Sequence, residues 1–186
     1  MPGLFAVSGA PFLLISYITF GDAIEKQRSA LDGLFSFLYI CGWLCSIAAH
    51  WQTKATGTNR WGRMVLIIQM LFLTLADLSN IMLLVQAGVG SKVYFILDLF
   101  WPISNIWMLA TGITVVAAKR LNGGMRYMPL TVGLWIPFTL LLMAVFGKSQ
   151  SAMLLSCVYS AVSWMVLGLF VLQMNAEQTF LKPHLA

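Results

Sequence analysis

Six apolar stretches alternate with short polar segments along the chain, at residues 4–20, 33–50, 64–87, 93–118, 127–146 and 152–174. A helix needs roughly 20 apolar residues to cross a bilayer, and these stretches lie near or above that length. Hydrocarbon offers no hydrogen bonds to an open backbone, so apolar runs of this length must be helical. The pattern predicts an all-α, polytopic transmembrane bundle of six helices, with both termini on the same side. The whole of 1–186 forms a single domain, because the connecting segments leave no room for a separate soluble one.

Local signals refine the pattern. The first stretch contains Pro11, has no basic segment ahead of it and shows no small-residue cleavage site before Gly21. It therefore reads as a retained span rather than a secretory signal. Asp22, Glu25, Lys26, Arg28 and Asp32 make 21–32 a solvated loop or a short surface helix. Tyr39, Ser46 and His50 share a face at helical spacing, and His50, beside Trp51, reads as a polar end-cap at the membrane boundary. The threonine-rich segment 51–63 is the most polar and reads as a flexible loop. Pro129 suits a helix start, whereas Pro137 falls inside a span and predicts a kink. Ser156, Ser160 and Ser163 recur at i, i+4 and i+7, a spacing that predicts close helix packing.

Composition agrees with a bilayer environment. The chain is 60% hydrophobic and 9% charged, against about 25% charged residues in a soluble domain. It cannot cover a water-facing surface. Aromatic residues at 13%, seven of them Trp, fit interfacial anchoring. The net charge of +5 resides in the loops, so it orients the chain and does not indicate a nucleic-acid partner. Lys54, Arg60, Arg63, Lys119, Arg120, Arg126 and Lys182 fall on the side of the termini; Lys26, Arg28, Lys92 and Lys148 fall on the other. Seven against four places both termini in the cytoplasm, in an inner or plasma membrane. Cys41, Cys45 and Cys157 lie in apolar stretches without the spacing of a redox pair, and read as small buried residues.

Against this background two carboxylates stand out. Asp77 and Asp98 lie inside the third and fourth stretches, and the chain has only six acidic residues. An ionisable group within a span is a functional-site candidate by default. Asp77 is followed at i+3 by Asn80, and Asp98 at i+7 by Asn105, so each Asp shares a helix face with an amide. Trp101 and Pro102 fall on the face of Asp98, and Gln69 lies three turns from Asn80. In an antiparallel hairpin centred near residue 90, Asn80 and Asp98 sit at equal height, about 8–10 Å below the surface, and Asp77 and Asn105 about 15 Å down. Each Asp is then expected to face an Asn of the opposite helix, which would supply the partner that burial demands.

Three functions fit. The preferred one is a small transporter or channel, proton- or cation-coupled, with Asp77 and Asp98 as ion sites and Asn80, Asn105, Trp101 and Gln69 shaping a polar cavity. An accessory or scaffold subunit would use the same Asp–Asn pairs only to fix helix packing. An intramembrane lipid-modifying enzyme would use the two Asp as acid and base. The sequence has no haem-ligating His pair, zinc-spaced cluster, mid-span Lys, phosphate-binding loop or GxSxG elbow, so no cofactor or metal is expected. Expected partners are membrane lipids, a small solute or cation, and a second copy or a larger membrane complex.

Overall fold

The computed structural model describes the backbone of residues 2–21 and 29–181, and the side chains of 3–21 and 29–173. The described chain is helical throughout, with no strand. Its helices are α1 (Pro2–Gly9), α2 (Phe12–Phe20), α3 (Ala30–Gln52), α4 (Arg60–Leu84), α5 (Lys92–Asp98), α6 (Phe100–Ala118), α7 (Met128–Gly133), α8 (Trp135–Phe146) and α9 (Gln150–Leu181). A 3₁₀ turn, Gly123–Tyr127, leads into α7.

Five helical segments are long and apolar enough to cross a membrane: Gly3–Phe20, Ala30–Gln52, Arg60–Leu84, Lys92–Ala118 and Gln150–Gln173. The sixth, Gly123–Gly133 with Trp135–Phe146, is bent by 52° at its break. These are the helices of an integral membrane protein, and their outer faces present Ile67, Leu71, Ile106, Ile113, Leu141 and Val145 to the surroundings.

Three of the spans are interrupted, and proline accounts for each. Pro11 is the N-cap of α2, two residues after α1 ends. Proline lacks an N–H and crowds the carbonyl four residues back. For Pro102 that carbonyl belongs to Asp98, where α5 ends; for Pro137 it belongs to Gly133, where α7 ends. The kink expected at Pro137 is thus the bend at Leu134. Caps set other boundaries: the side chains of Ser29, Asn59 and Ser91 accept backbone N–H bonds from Asp32, Gly62 and Tyr94.

The spans pack as a ring in chain order. The first lies against α3, α3 against α4, α4 against α6, α6 against α7, and α7 and α8 against α9; α9 closes the ring on α1 and α2. Without a hydrophobic force between helices in lipid, close approach needs small residues. Gly9 and Gly42 meet where α1 crosses α3: a Cβ on Gly42 would lie 2.9 Å from the Cα of Gly9. Where α6 crosses α7, a Cβ on Gly112 would lie 2.4 Å from the Cα of Leu130.

Across the ring α3 also meets α9. Trp43 and Trp164 pack with ring centroids 4.6 Å apart, and the Tyr39 hydroxyl shares a hydrogen bond with Ser160 at 3.1 Å. Trp43, Ile47, Leu66, Leu73, Met108 and Leu167 fill the interior beside this contact. His50 is only 1% exposed, not a boundary cap as expected. The loop after α3 folds back over it, with Ala55 N–H donating to the His50 carbonyl. Its Nδ1 pairs with the Ser46 carbonyl at 2.7 Å.

Candidate functional site: a carboxylate-bearing well

Where α2 and α4 end and α3, α5 and α9 begin, the space between the helices is not filled. A cavity of about 470 Å³ is lined by α2, α3, α4, α5, α6, α8 and α9. Its depth follows from helix rise. Asp32 lies in the first turn of α3, at the rim. Tyr39, seven residues on from Asp32, lies about 10 Å further in, and Trp101 lies nine residues, about 14 Å, from the start of α5 at Lys92. The cavity is a well that runs from Asp32 to Tyr39, roughly halfway along α3, where the Tyr39 hydroxyl meets Ser160.

Two carboxylates line it. Asp98, half-buried, is the last residue of α5, placed at the helix break that Pro102 imposes. Asp32 is 7% exposed and accepts a 2.6 Å hydrogen bond from the Ser16 hydroxyl of α2. Lining it with them are five aromatic side chains, Tyr17, Tyr39, Tyr94, Trp101 and Trp135. Trp101 and Trp135 meet edge to face with centroids 5.2 Å apart. Trp135 follows the second proline-imposed break, so both indoles and Asp98 stand at interruptions of otherwise regular spans. Broken helices are tolerated at membrane depth where they line a cavity, and transporter sites are commonly built on them.

Most of the hydroxyls around the well are already paired. Ser16 donates to Asp32, Thr139 and Ser156 share a bond of 2.5 Å, and Tyr39 shares one with Ser160. The Trp135 indole N–H donates to the Ser156 carbonyl at 2.9 Å. The remaining wall is largely apolar, with Leu13, Ile40, Leu83, Ile136, Met143 and Met153.

The residues singled out in the sequence divide into two groups. Asn80, Asp98 and Trp101 meet at the well, and the first two line it from facing helices, as their equal height in the hairpin requires. Asp77, Asn105 and Gln69 do not line it. Asp77 accepts from the Asn80 amide at 3.2 Å and from the Cys41 thiol of α3 at 3.7 Å. It therefore stands behind Asn80, one hydrogen bond from the cavity. The expected pairing of Asp77 with Asn105 is not made: the Asn105 amide donates to the Trp101 carbonyl of its own helix at 2.9 Å. Helix phase gives the reason. Gln69 faces α6, donating to the Ser104 carbonyl at 3.1 Å, and Asp77 lies eight residues on, rotated by about 80° around α4 and so turned toward α3.

Asp32 is the residue that sequence reasoning missed. Its acidic and basic neighbours, of which 22–28 lie outside the described residues, make the segment read as a solvated loop or a short surface helix. A usable signal was present: Ser29 followed by Asp32 is an N-cap with an acid in the first turn, and marks a helix start. The serine triplet of α9 does pack closely, with all three buried, but Ser156 also lines the well.

Among the described residues no three His, Cys, Asp or Glu side chains are grouped to hold a metal ion. The fold and the site together define a polytopic helical membrane protein with a carboxylate-bearing well. No protein-family model, curated protein or solved structure matches the chain.

Proposed function

We propose that this chain is a small membrane transporter whose solute site is the well, with Asp98 and Asp32 exchanging a proton or cation during transport. The observation that carries the reading is one cavity, large enough for a small molecule, walled by two carboxylates and three proline-broken spans. Pockets that enclose small ligands hold roughly 300–1,000 Å³. A carboxylate buried in a membrane protein is costly, and cation-coupled carriers use that cost by occupying it with a proton or cation on one side and releasing it on the other. Beyond Tyr39 the side chains of Trp43, Ile47, Leu66 and Met108 fill the interior, and in this reading the described state is one end state of an alternating-access cycle. By the positive-inside rule the termini face the cytoplasm, and the well opens to the opposite side.

The experiment is uptake into proteoliposomes under an imposed proton or sodium gradient. Wild-type protein accumulates solute, and both Asp98→Asn and Asp32→Asn lose at least nine-tenths of the rate while remaining folded and monodisperse. A second reading, an accessory subunit, draws on the polar groups committed to helix packing, Gln69 with Ser104 and Asp77 with Cys41. It expects no gradient-driven uptake by the purified wild-type chain.

A further inference from the structure

We infer that a second, smaller cavity, where α3 ends and α4 begins, binds the phosphate of an anionic phospholipid. It lies at the other ends of these helices from the well and does not depend on how the well is read.

The cavity holds about 130 Å³, and its walls include Trp51, Lys54, Thr58, Arg63 and Leu66. Sites that enclose a whole small molecule hold roughly 300–1,000 Å³. This one therefore seats a single group of a ligand whose remainder lies outside. Lys54 and Arg63 supply its charge, and no acid lines it. Among the described residues neither of these side chains has an ion-pair or hydrogen-bond partner, and the Thr58 hydroxyl makes no bond. The described acids are remote. Asp77 is 14 residues on from Arg63, about 21 Å along α4; Asp32 and Asp98 line the well. A guanidinium matches a phosphate with two parallel N–H bonds, and a Lys ammonium adds a compact charge.

The groups are held in place. Thr56, buried, donates its hydroxyl to the Gly62 carbonyl at 2.8 Å, and the Asn59 side chain accepts from the Gly62 N–H at 2.8 Å. The segment expected to be a flexible loop is thereby fastened to the first turn of α4, with Lys54 and Arg63 on one cavity. It also rests on the end of α6. Ala55 packs with Val115 and Leu121, and a Cβ on Gly57 would lie 3.7 Å from that of Ala118. Lys119 and Arg120 follow Ala118 directly, so two loops far apart in the chain bring their cations to one end of the bundle. A site formed before binding loses less entropy when it is filled.

The surroundings favour a lipid over free phosphate. Trp51 lines the cavity and Trp61 lies in the first turn of α4, both exposed. Membrane proteins place tryptophan at headgroup depth. About one and two turns along α4 from Arg63, Ile67 and Leu71 are exposed. An acyl chain below a headgroup held at Arg63 would lie on them. Clustered basic residues at the ends of transmembrane helices recognise anionic headgroups. A phosphatidylcholine headgroup carries its own cation beside the phosphate, which weakens its attraction to Lys54 and Arg63.

Native mass spectrometry of the full chain in detergent, titrated with phosphatidylglycerol or phosphatidylcholine, tests this. The first phosphatidylglycerol binds at least about tenfold more tightly than phosphatidylcholine. Lys54→Gln and Arg63→Gln each weaken it by about fivefold or more, whereas Lys148→Gln, which removes an equal charge between α8 and α9, changes it by less than about twofold. All three side chains are exposed, and the comparison of the two lipids on the wild-type chain needs no variant. Equal affinity for the two lipids, or an equal loss in Lys148→Gln, would overturn the inference. Calorimetry with inorganic phosphate, on protein in phosphatidylcholine nanodiscs, separates the two sources. No saturable binding is expected up to about 10 mM. Saturable phosphate binding that Arg63→Gln abolishes, with no preference for phosphatidylglycerol, would overturn the assignment to a lipid.

Discussion

Replacing Gly112 with alanine sets two opposing effects against each other. Alanine is the better helix former, and in a helix interior the exchange is worth about 1 kcal/mol in its favour. At Gly112 the added Cβ would stand 2.4 Å from the Cα of Leu130 and 2.6 Å from its backbone N. Carbon atoms pack at about 3.5–4.0 Å, so α6 and α7 must separate by at least about 1 Å. The obstructing atoms are backbone, and no side-chain rotation relieves them. Separation also loosens Gly133, whose own Cβ position lies 2.8 Å from the backbone of Leu109. Overpacking of a tight contact costs about 1–3 kcal/mol, or more where the backbone must shift. Because the obstructing atoms are backbone, the steric cost lies at the upper end of that range, and Gly112→Ala destabilises the bundle by about 2 kcal/mol net.

Gly124 supplies the comparison, since nothing lies within 4 Å of a Cβ built there. Chemical unfolding in detergent, followed by tryptophan fluorescence, reads both variants. The expected result is a clear loss of stability for Gly112→Ala and no loss for Gly124→Ala. Equal stability of Gly112→Ala and wild type would show that α6 and α7 are not in contact at this glycine, and the ring of spans would have to be redrawn.

Two further outcomes separate packing from function. Gln69→Leu removes the bond to the Ser104 carbonyl and costs no more than about 0.6–1.7 kcal/mol, from the average to the largest value for interhelical bonds in a membrane protein; gradient-driven uptake then stays within about twofold of wild type, and a loss of about tenfold would put Gln69 in the site. Ser16→Ala withdraws the only hydrogen bond described to the Asp32 carboxylate. A bond to a charged group contributes about 1.5–3 kcal/mol, so the unfolding free energy falls by that order, and no change would mean that water replaces the hydroxyl and the rim is open at Asp32.

Much of the architecture was legible in the order of residues. Span positions follow from one requirement, that a backbone crossing hydrocarbon satisfy its own hydrogen bonds, and apolar length reports it directly. The proline positions marked the breaks for the same reason: a missing N–H is a local chemical fact. Equal heights in the α4–α6 hairpin brought Asn80 and Asp98 to one cavity, because helix rise is constant. What lay beyond the sequence was which helix each polar face meets. Spacing along α4 shows that Asp77 and Asn80 share a side, but not that the side turns to α3, since rotation is settled by contacts such as Gly33 against Leu84 and Gln69 against Ser104. The well itself is a property of the ring: Asp32, Asp98, Trp135 and Ser156 are far apart in the chain and come together only because α9 closes on α1 and α2. Local chemistry determines where each helix starts, bends and ends; only packing among distant helices decides which carboxylates share a space that a solute can enter.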